Sequence, residues 1–509
     1  MPKSSSRAEV PDRSRTNVLF GAGILLASTF VIYWKTLKYS YVQDDWLFIN
    51  SIVTSGAFKV LRDSFLQIDS LFYRPLGTLY MVIVYSIFGD NAVGFHIIGL
   101  LSHFANSVLV ALILLRITRH PVVSWTAAFL YMAAATIHID PLMWMVGIYD
   151  LGATFFFLLT IYLFTGSRPW TSVLAFAIAL LFKDSAIILP AILFIMVVGN
   201  DQEGKLRFAG FGKIVPHALL AVVYLVARSG GWLKLFVADH GSYTSGKSMS
   251  LWIHALGQCL QWNVESVIGI ATTGGIALPL FFLVILFAVL YFRRTKPGFT
   301  ILMLFAGWFL VGLIPPMLIP THTYRYYLSY SLPAFFAIFA YAVCGVCALI
   351  GMKPRFVPAA MVAIVATTFY SSIILLPRLE DIASETVKMA GSNNLMLKGS
   401  FVEPVQSYLR RSFTSVTPGT TFIFDVIPAA AFGGSAGLRT WFGDTSLRAL
   451  QVQGEAEHLY LNDPMDPDAA GRDSVTFDAR ITYVVGWIDG EVRSFRLIDR
   501  YSSNPFSNK

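Results

Sequence analysis

Two adjacent carboxylates stand out in the stretch "YVQDDWLFIN", where Asp44 and Asp45 are surrounded by aromatic and aliphatic side chains. A carboxylate can deprotonate a hydroxyl group or hold a divalent cation, so either chemistry suits the pair. Because neighbouring negative charges repel each other, we expect a raised pKa for one of them or a bound cation. The pair lacks the Asp-x-Asp spacing of a metal motif, so no cofactor is firmly expected, and Mg²⁺ or Mn²⁺ remains an open alternative.

Further ionisable side chains stand at the ends of apolar segments. Burying charge at a membrane boundary is costly, so such groups are commonly paired or functional, although any one of them can simply snorkel or cap a helix. Lys and Arg side chains, together with Tyr hydroxyls, can neutralise a phosphate group as it leaves. The candidate phosphate ligands are Lys183, Arg325, Arg74, Tyr324 and Tyr326, and the further polar candidates are His138, Asp140, Asp150, Asp184 and His322.

Carboxylates and cations of this kind together suit one class of reaction. A phosphate carried on a lipid meets a protein at the membrane boundary, with its hydrocarbon chain in the bilayer. A carboxylate would then activate an acceptor hydroxyl, and the cations would neutralise the departing phosphate. This combination describes sugar transfer from a polyprenyl-phosphate sugar.

The elements that must position these groups are membrane helices. The 509-residue chain is 55% apolar and 13% charged, with a mean hydropathy of +0.62, which a soluble globular protein would not show. Its three cysteines fit neither a disulfide framework nor a zinc site. Apolar segments of roughly 20 residues predict about eleven spans. We place them at 17–37, 93–115, 121–137, 148–165, 170–182, 185–199, 214–228, 273–292, 299–316, 328–350 and 356–377.

Basic residues are unevenly distributed between the two sides of this bundle. With a cytoplasmic N-terminus and alternating spans, the cytoplasmic segments hold 15 basic and four acidic residues, whereas the opposite segments before residue 378 hold ten of each. Cytoplasmic loops of membrane proteins are enriched in Lys and Arg, so the asymmetry supports this threading. The basic net charge then reports orientation rather than nucleic-acid binding, and the candidate polar groups lie at the outer mouth of the bundle.

The threading divides the chain into three parts. Residues 1–16 form a cytoplasmic tail, 17–377 the transmembrane domain with a first outer loop over 38–92, and 378–509 a small extracytoplasmic α/β domain. In that C-terminal domain "TTFIFDVI" and "ARITYVVGWI" are typical of strands, and "EDIASETVKMAG" and "VEPVQSYLRRSF" have helical spacing. The glycine-rich "AAAFGGSAGLRTWFGD" lacks the spacing of a phosphate-binding loop, so a structural turn is the favoured interpretation.

Several segments, in order, resemble the membrane half of GT-C glycosyltransferases: "YVQDDW", "YRPLGTLY", "HIDPLMWMVGIYD", "FKDSAIILP" and "YRYYLSY". Over roughly residues 17–350 the chain resembles enzymes related to protein O-mannosyltransferases and tetratricopeptide-repeat O-mannosyltransferases. The resemblance implies a GT-C-like bundle in which the acidic pair Asp44 and Asp45 is catalytic. The family's other motifs fall on His138, Asp140, Gly147 and Asp150, and on Lys183, Asp184, Ser185 and Pro190.

The chain also departs from the family pattern. Ile148 stands where the family has an Arg two residues before Asp150, and Asp140 and Asp184 replace Glu. If the family's Arg binds the donor phosphate, either Arg74 or Arg325 takes its place here or the donor differs. Tetratricopeptide repeats are absent from the C-terminal domain, so the acceptor, whether protein, lipid or glycan, does not carry over.

The resemblance implies a mannosyltransferase-like hexosyltransferase that inverts the anomeric centre. Asp44 is the favoured general base and Asp45 its orienting or acceptor-binding neighbour, and the reverse assignment stays open. We expect it in a bacterial inner membrane, surrounded by lipids, with its active site outside the cytoplasm and no nucleic-acid partner. Two alternatives stay open. A transporter or flippase of lipid-linked sugars would use the carboxylates for binding, although transporters usually place polar residues near mid-membrane and show internal repeats. A non-catalytic GT-C relative would use its outer domain to bind a partner.

Overall fold

The structure is a computed structural model. It describes residues 13–200, 206–207, 210–231, 248–269, 274–294, 298–320, 322–385, 395–425, 427–453, 460–462, 478–488 and 490–497. Most of the predicted cytoplasmic tail, 1–16, therefore lies outside the described residues.

Seven helices in the described part of the chain are long and apolar enough to cross a membrane. They are Thr16–Lys38, Val93–Thr118, Met145–Thr165, Gly275–Arg293, Thr300–Leu318, Leu332–Leu349 and Pro354–Ile374. The helices Pro121–Ala133 and Ala135–Met143 meet at a bend of 52° and make an eighth span if the pair is one broken crossing. By length and composition the chain is a multi-pass membrane protein.

The predicted count of about eleven spans is not confirmed. Three of the predicted spans, 170–182, 185–199 and 214–228, correspond to the helices Pro169–Phe182, Leu189–Val197 and Val215–Ala227. The longest of the three has 14 residues. At 1.5 Å per residue that is about 21 Å, shorter than the ~30 Å hydrocarbon core of a bilayer. Hydropathy therefore located these helices without showing that they cross.

The first loop, 38–92, is largely helical. It contains the helices Asp44–Ser55, Ala57–Leu66 and Pro75–Phe88. The first, named here the acidic helix, carries both aspartates in its opening turn. Negative charge is favourable there because it interacts with the positive end of the helix dipole. Gly56, at a φ of +83°, ends the acidic helix, and Pro75 begins the third helix at the position where a missing N–H costs nothing.

The C-terminal part of the chain forms a small α/β unit, as predicted. Earlier in the chain, β1 (Gly199–Asn200) and β2 (Leu206–Arg207) form a short antiparallel pair, and the later strands that the structure describes join one five-stranded sheet of order β5-β4-β3-β6-β7. Its strands are β3 (Thr421–Asp425), β4 (Arg448–Gln453), β5 (Tyr460–Asn462), β6 (Thr482–Ile488) and β7 (Glu491–Arg496). The central strand β3 pairs in parallel with β4 and β6, and the two edge pairings are antiparallel.

The predicted strand segments match β3 and β6, and "VEPVQSYLRRSF" lies in the helix Leu395–Ser412, named here the tail helix. The start of "EDIASETVKMAG" continues the helix Val357–Glu385, and its remainder lies outside the described residues. Within the described ranges, Met249–Ile268 and Ser435–Phe442 are further α-helices.

The glycine-rich turn, residues 429–434, packs directly on the start of the acidic helix. The backbone N–H of Gln43 donates to the Ala431 carbonyl at 2.7 Å. Gly433 has a φ of +68°, and a Cβ there would lie 3.0 Å from both the Gln43 carbonyl oxygen and the Trp46 Cβ. Trp46 is fully buried and meets Trp441 edge to face at 5.5 Å. The C-terminal unit thus holds the segment that carries the two carboxylates.

Candidate functional site

A cleft of about 520 Å³ opens between the first-loop helices and the start of the helix Ile148–Thr165. Its charged lining comes from distant parts of the sequence and includes Asp44, Arg74, Asp150 and Lys183. The aromatic part of the lining consists of Phe48, Phe72, Trp144, Tyr149, Tyr326 and Tyr327. Another part of the lining, named here the hydroxyl-rich wall, has Ser51, Ser55, Ser64 and Ser70 together with Lys59, Asp63 and Gln67. The cleft can therefore hold a ligand with both anionic and polar hydroxyl groups.

The two adjacent carboxylates have different surroundings. Asp45 is fully buried, does not line the cleft, and accepts the backbone N–H of Val42 at 3.0 Å and that of Val146 at 3.1 Å. Burial raises the pKa of Asp45 to about 8, against the opposing effect of the backbone hydrogen bonds. Asp44 lines the cleft and bonds to the Gln43 side chain, and burial raises its pKa as well. Geometry thus leaves Asp44 to face a ligand and Asp45 to join two chain segments.

Lys183 and Asp150 form an ion pair on the floor of the cleft, with 2.5 Å between Nζ and Oδ1. The ammonium group also lies over the Tyr327 ring at 4.4 Å and 5.5 Å from the Tyr326 ring centroid. Burial lowers the pKa of Lys183 to about 8, and the negative charge of Asp150 is the main influence that opposes this decrease. The pair brings together the two family-like motifs that the sequence separates.

Arg74 is the second cation of the cleft. Its guanidinium stacks over the Phe72 ring at 4.9 Å and the Tyr149 ring at 4.7 Å. Within the described residues Arg74 makes no ion pair, although Asp150 lies within electrostatic range. Ile148, at the position where the family pattern has an Arg, is buried in the apolar core. Arg74 therefore lies in the neighbourhood of Asp150 in addition to Lys183.

Arg325 occupies a different environment. It donates to the fully buried Glu265 at 2.6 Å and lies over the Trp262 ring at 5.4 Å, and it is not part of the cleft lining. The turn Arg325–Tyr330 nevertheless supplies Tyr326 and Tyr327 to the cleft. Of the two arginines that the sequence offered as phosphate ligands, only Arg74 lines the cleft.

Two further candidates surround this tyrosine turn. Tyr324 stacks on Tyr326 with 5.5 Å between ring centroids, and His322 meets Tyr324 edge to face at 4.6 Å. Burial, followed by the charges of Lys183 and Arg74, lowers the pKa of His322 to about 4. His322 is consequently neutral at physiological pH and cannot supply a positive charge to a phosphate.

Asp184 has a structural position beside the cleft. Its carboxylate pairs with Arg228 at 3.0 Å and accepts the Tyr224 hydroxyl. Arg228 is 1% exposed and also donates to the carbonyls of Ile68, Ser70 and Leu71. This network fixes the segment that leads into Arg74. Arg228 ends a predicted span, so its place at an apolar boundary was a usable signal that sequence reasoning did not use.

His138 and Asp140 lie next to the cleft but outside its lining. The His138 ring is fully buried, 4.4 Å from the His103 ring and 4.7 Å from the Tyr131 ring. Asp140 lies within electrostatic range of Arg325 and of Lys398, a residue of the tail helix. Neither residue lines the cleft, and Lys398 is a neighbour of Asp140 that no sequence pattern indicated.

A smaller, largely apolar pocket of about 110 Å³ adjoins the cleft. Six residues line both cavities, namely Phe72, Arg74, Asp150, Lys183, Tyr326 and Tyr327. The rest of the pocket includes Leu71, Ile187, Ile188, Pro315, Leu318 and Ile319. A ligand with an anionic group beside a hydrocarbon chain could therefore place its charge at the shared cations and its chain among the aliphatic side chains.

In the part of the chain that the structure describes, no three His, Cys, Asp or Glu side chains are grouped closely enough to hold a metal ion. No protein-family model matches the chain, and no curated protein is significantly similar to it.

Proposed function

We propose that the protein is a membrane glycosyltransferase that moves a sugar from a polyprenyl-phosphate donor to an acceptor hydroxyl. One observation carries the proposal: a single cleft has the Asp44 carboxylate, the cations Arg74 and Lys183, and an adjoining apolar pocket. The family resemblance, with its GT-C-like bundle, leads to the same reaction class. Mannose or a related hexose is the favoured sugar.

The donor would bind at the boundary between the two cavities. Its phosphate would pair with Lys183 and Arg74, and Tyr326 and Tyr327 would offer hydroxyl groups beside them. Charge-assisted hydrogen bonds to an anion are about twice as strong as neutral ones. The first isoprene units would contact the aliphatic side chains of the smaller pocket, and the rest of the chain would extend into the bilayer. Lys183 would exchange its Asp150 partner for the phosphate.

The acceptor would approach from the hydroxyl-rich wall. Asp44 would take the proton from the acceptor hydroxyl as its oxygen forms the bond to the anomeric carbon. The bond between that carbon and the phosphate oxygen would break, and its electron pair would stay on the phosphate, where Lys183 and Arg74 neutralise the added charge. The products are the glycosylated acceptor, with inverted configuration, and polyprenyl phosphate. Asp45 would hold the start of the acidic helix against Val146 during the reaction.

We propose that the cleft and the C-terminal unit lie on the extracytoplasmic face, most simply of a bacterial inner membrane. The support for this location is the sequence-based threading, which assigns 15 basic residues to cytoplasmic segments. A divalent cation is not needed for this assignment, since two cations already face the phosphate position. Mg²⁺ or Mn²⁺ stays an alternative to be tested by chelation.

Transfer by the purified full-length protein tests the proposal. It would be reconstituted with radiolabelled polyprenyl-phosphate sugars and a membrane extract as acceptor source, in parallel with the Asp44→Asn variant. We expect label on an acceptor with the wild type and a loss of about 10²–10⁴-fold with the variant. Glu403→Gln is the matched control, because it neutralises an exposed carboxylate on the tail helix.

The other function classes predict different results. A transporter of lipid-linked sugars would move the labelled donor across the bilayer without label reaching an acceptor. A non-catalytic relative would bind the donor and do neither. Transfer that survives Asp44→Asn would refute the base assignment.

A further inference from the structure

Lys398 is a buried cation that the C-terminal unit contributes to the neighbourhood of Asp44. It lies on the tail helix, is 7% exposed, and donates from Nζ to the Gln43 Oε1 at 2.9 Å. Burying an ammonium group is costly unless it is paired with charge or hydrogen-bonded. Two carboxylates, those of Asp44 and Asp140, lie within electrostatic range of it. The lysine is thus set between two acidic groups of the membrane domain.

Gln43 joins Lys398 to Asp44. Its side chain accepts from Lys398 and is also hydrogen-bonded to Asp44. Its backbone has a φ of 54°, which is uncommon for a residue other than glycine, and its N–H donates to the Ala431 carbonyl of the glycine-rich turn. Residues held in such sparsely populated conformations cluster at functional sites. The C-terminal unit therefore contacts the residue before Asp44 through both backbone and side chain.

We infer that Lys398 is a positioning residue, through which the C-terminal unit orients Asp44 and keeps it ionised for deprotonation of the acceptor. This inference rests on the proposed glycosyltransferase function. It assigns the C-terminal unit a role in the site, because Asp44 is correctly oriented only when the tail helix packs against the segment that carries it. Asp140 is the second carboxylate within electrostatic range of the lysine, so its negative charge also helps to stabilise the buried cation.

The charges around Asp44 give the direction of the effect. The groups facing it from the surrounding elements are Asp45, Arg74, Tyr149, Tyr324 and Lys398. Burial raises the pKa of Asp44, and the Lys398 charge is the largest influence that lowers it, followed by the Gln43 hydrogen bond and Arg74. Removing the lysine would raise the pKa of Asp44 further. A general base with a higher pKa becomes protonated, and therefore inactive, at a higher pH when the solution is acidified.

The test is the pH dependence of kcat/KM for transfer, measured with the full-length protein in proteoliposomes. In Lys398→Met we expect the acidic limb of the profile to move upward by about one pH unit, the lower end of the effect of a nearby opposite charge. Transfer at a pH on that limb would fall about tenfold. Lys398→Arg keeps the charge and should restore the wild-type profile. Arg411→Met removes an exposed cation from the same helix and should leave the profile unchanged.

The outcomes separate the inference from the function on which it rests. A uniform loss of transfer in Lys398→Met with an unshifted acidic limb would mean that the lysine only stabilises the tail contact, and the inference would be wrong. If Lys398→Met does not fold, Lys398→Gln, which keeps a polar donor, carries the same expectation. Wild-type protein without transfer refutes the proposed function and the inference with it, whatever the variants do.

Discussion

Replacing the adjacent carboxylates one at a time separates catalysis from stability. Asp44 lines the cleft, so Asp44→Asn should fold normally and lose about 10²–10⁴-fold in transfer rate, the range that general base catalysis supplies. That loss equals about 3–5 kcal/mol of transition-state stabilisation. Asp45 instead accepts the backbone N–H groups of Val42 and Val146 with its two oxygens. Removing the Asp45 carboxylate should therefore mainly lower the stability of the fold.

The size of that effect follows from the hydrogen bonds. An Asn at position 45 has one carbonyl oxygen, so one of the two backbone donors would face an NH₂ group and lose its partner. A buried donor left unsatisfied costs about 1–3 kcal/mol. We therefore expect Asp45→Asn to lower the free energy of unfolding by that amount, and to retain more transfer activity than Asp44→Asn at a temperature where both are folded.

The pH dependence of stability gives a second readout for Asp45. Burial raises its pKa from the ordinary 3.8 to about 8, so the folded state binds the proton more tightly than the unfolded state does. The resulting stabilisation is fully present below the unfolded value and is lost as the pH rises through about 8. Thermal unfolding in detergent should thus occur at lower temperature at alkaline pH, and Asp45→Asn should flatten this slope.

The measurements are transfer rate at saturating donor and unfolding temperature across pH, for both variants and the wild type. Full activity in Asp44→Asn, together with a loss of transfer at unchanged stability in Asp45→Asn, would show that the two roles are reversed. Equal stability of both variants at every pH would refute the structural account of Asp45.

Three further predictions concern the cations. Arg74→Gln should weaken donor binding about 10- to 100-fold in a titration, because a charge-assisted hydrogen bond to the donor is lost. Arg325→Gln should instead leave donor affinity intact and destabilise the fold, because it removes the ion pair with the buried Glu265. The reverse pattern would contradict the placement of the two arginines. Lys183 loses its positive charge as the pH rises through about 8, so kcat/KM for transfer should fall above that pH. Lys183→Arg, which stays charged, should not show this decrease. A wild-type kcat/KM that stays constant at alkaline pH would count against Lys183 as a phosphate ligand. Arg228→Met should lower the free energy of unfolding by about 3–5 kcal/mol, because its carboxylate partner stays behind; a change within experimental error would show that the network is dispensable.

Much of the architecture follows from composition and periodicity. The long apolar segments indicated the membrane helices, the apolar runs "TTFIFDVI" and "ARITYVVGWI" indicated β3 and β6, and clustered polar residues indicated where a site could lie. Hydropathy could not decide the number of crossings, because a short helix buried among others has the same apolar composition as part of a spanning helix. The hydropathy pattern alone was therefore not sufficient to predict the number of membrane spans as eleven.

The sequence by itself determined which side chains were available for chemistry, and tertiary packing alone decided which of them meet. Arg74 and Arg325 are the same residue type, yet Arg74 lines the cleft and Arg325 pairs with Glu265. Asp44 and Asp45 are neighbours, yet the helix turns one toward the cleft and the other to Val146. Lys398 lies more than 350 residues from Gln43, and no local pattern encodes that contact. The physical reason is that hydrophobicity and spacing specify the face of an element, whereas distances between faces arise only when the whole core is packed.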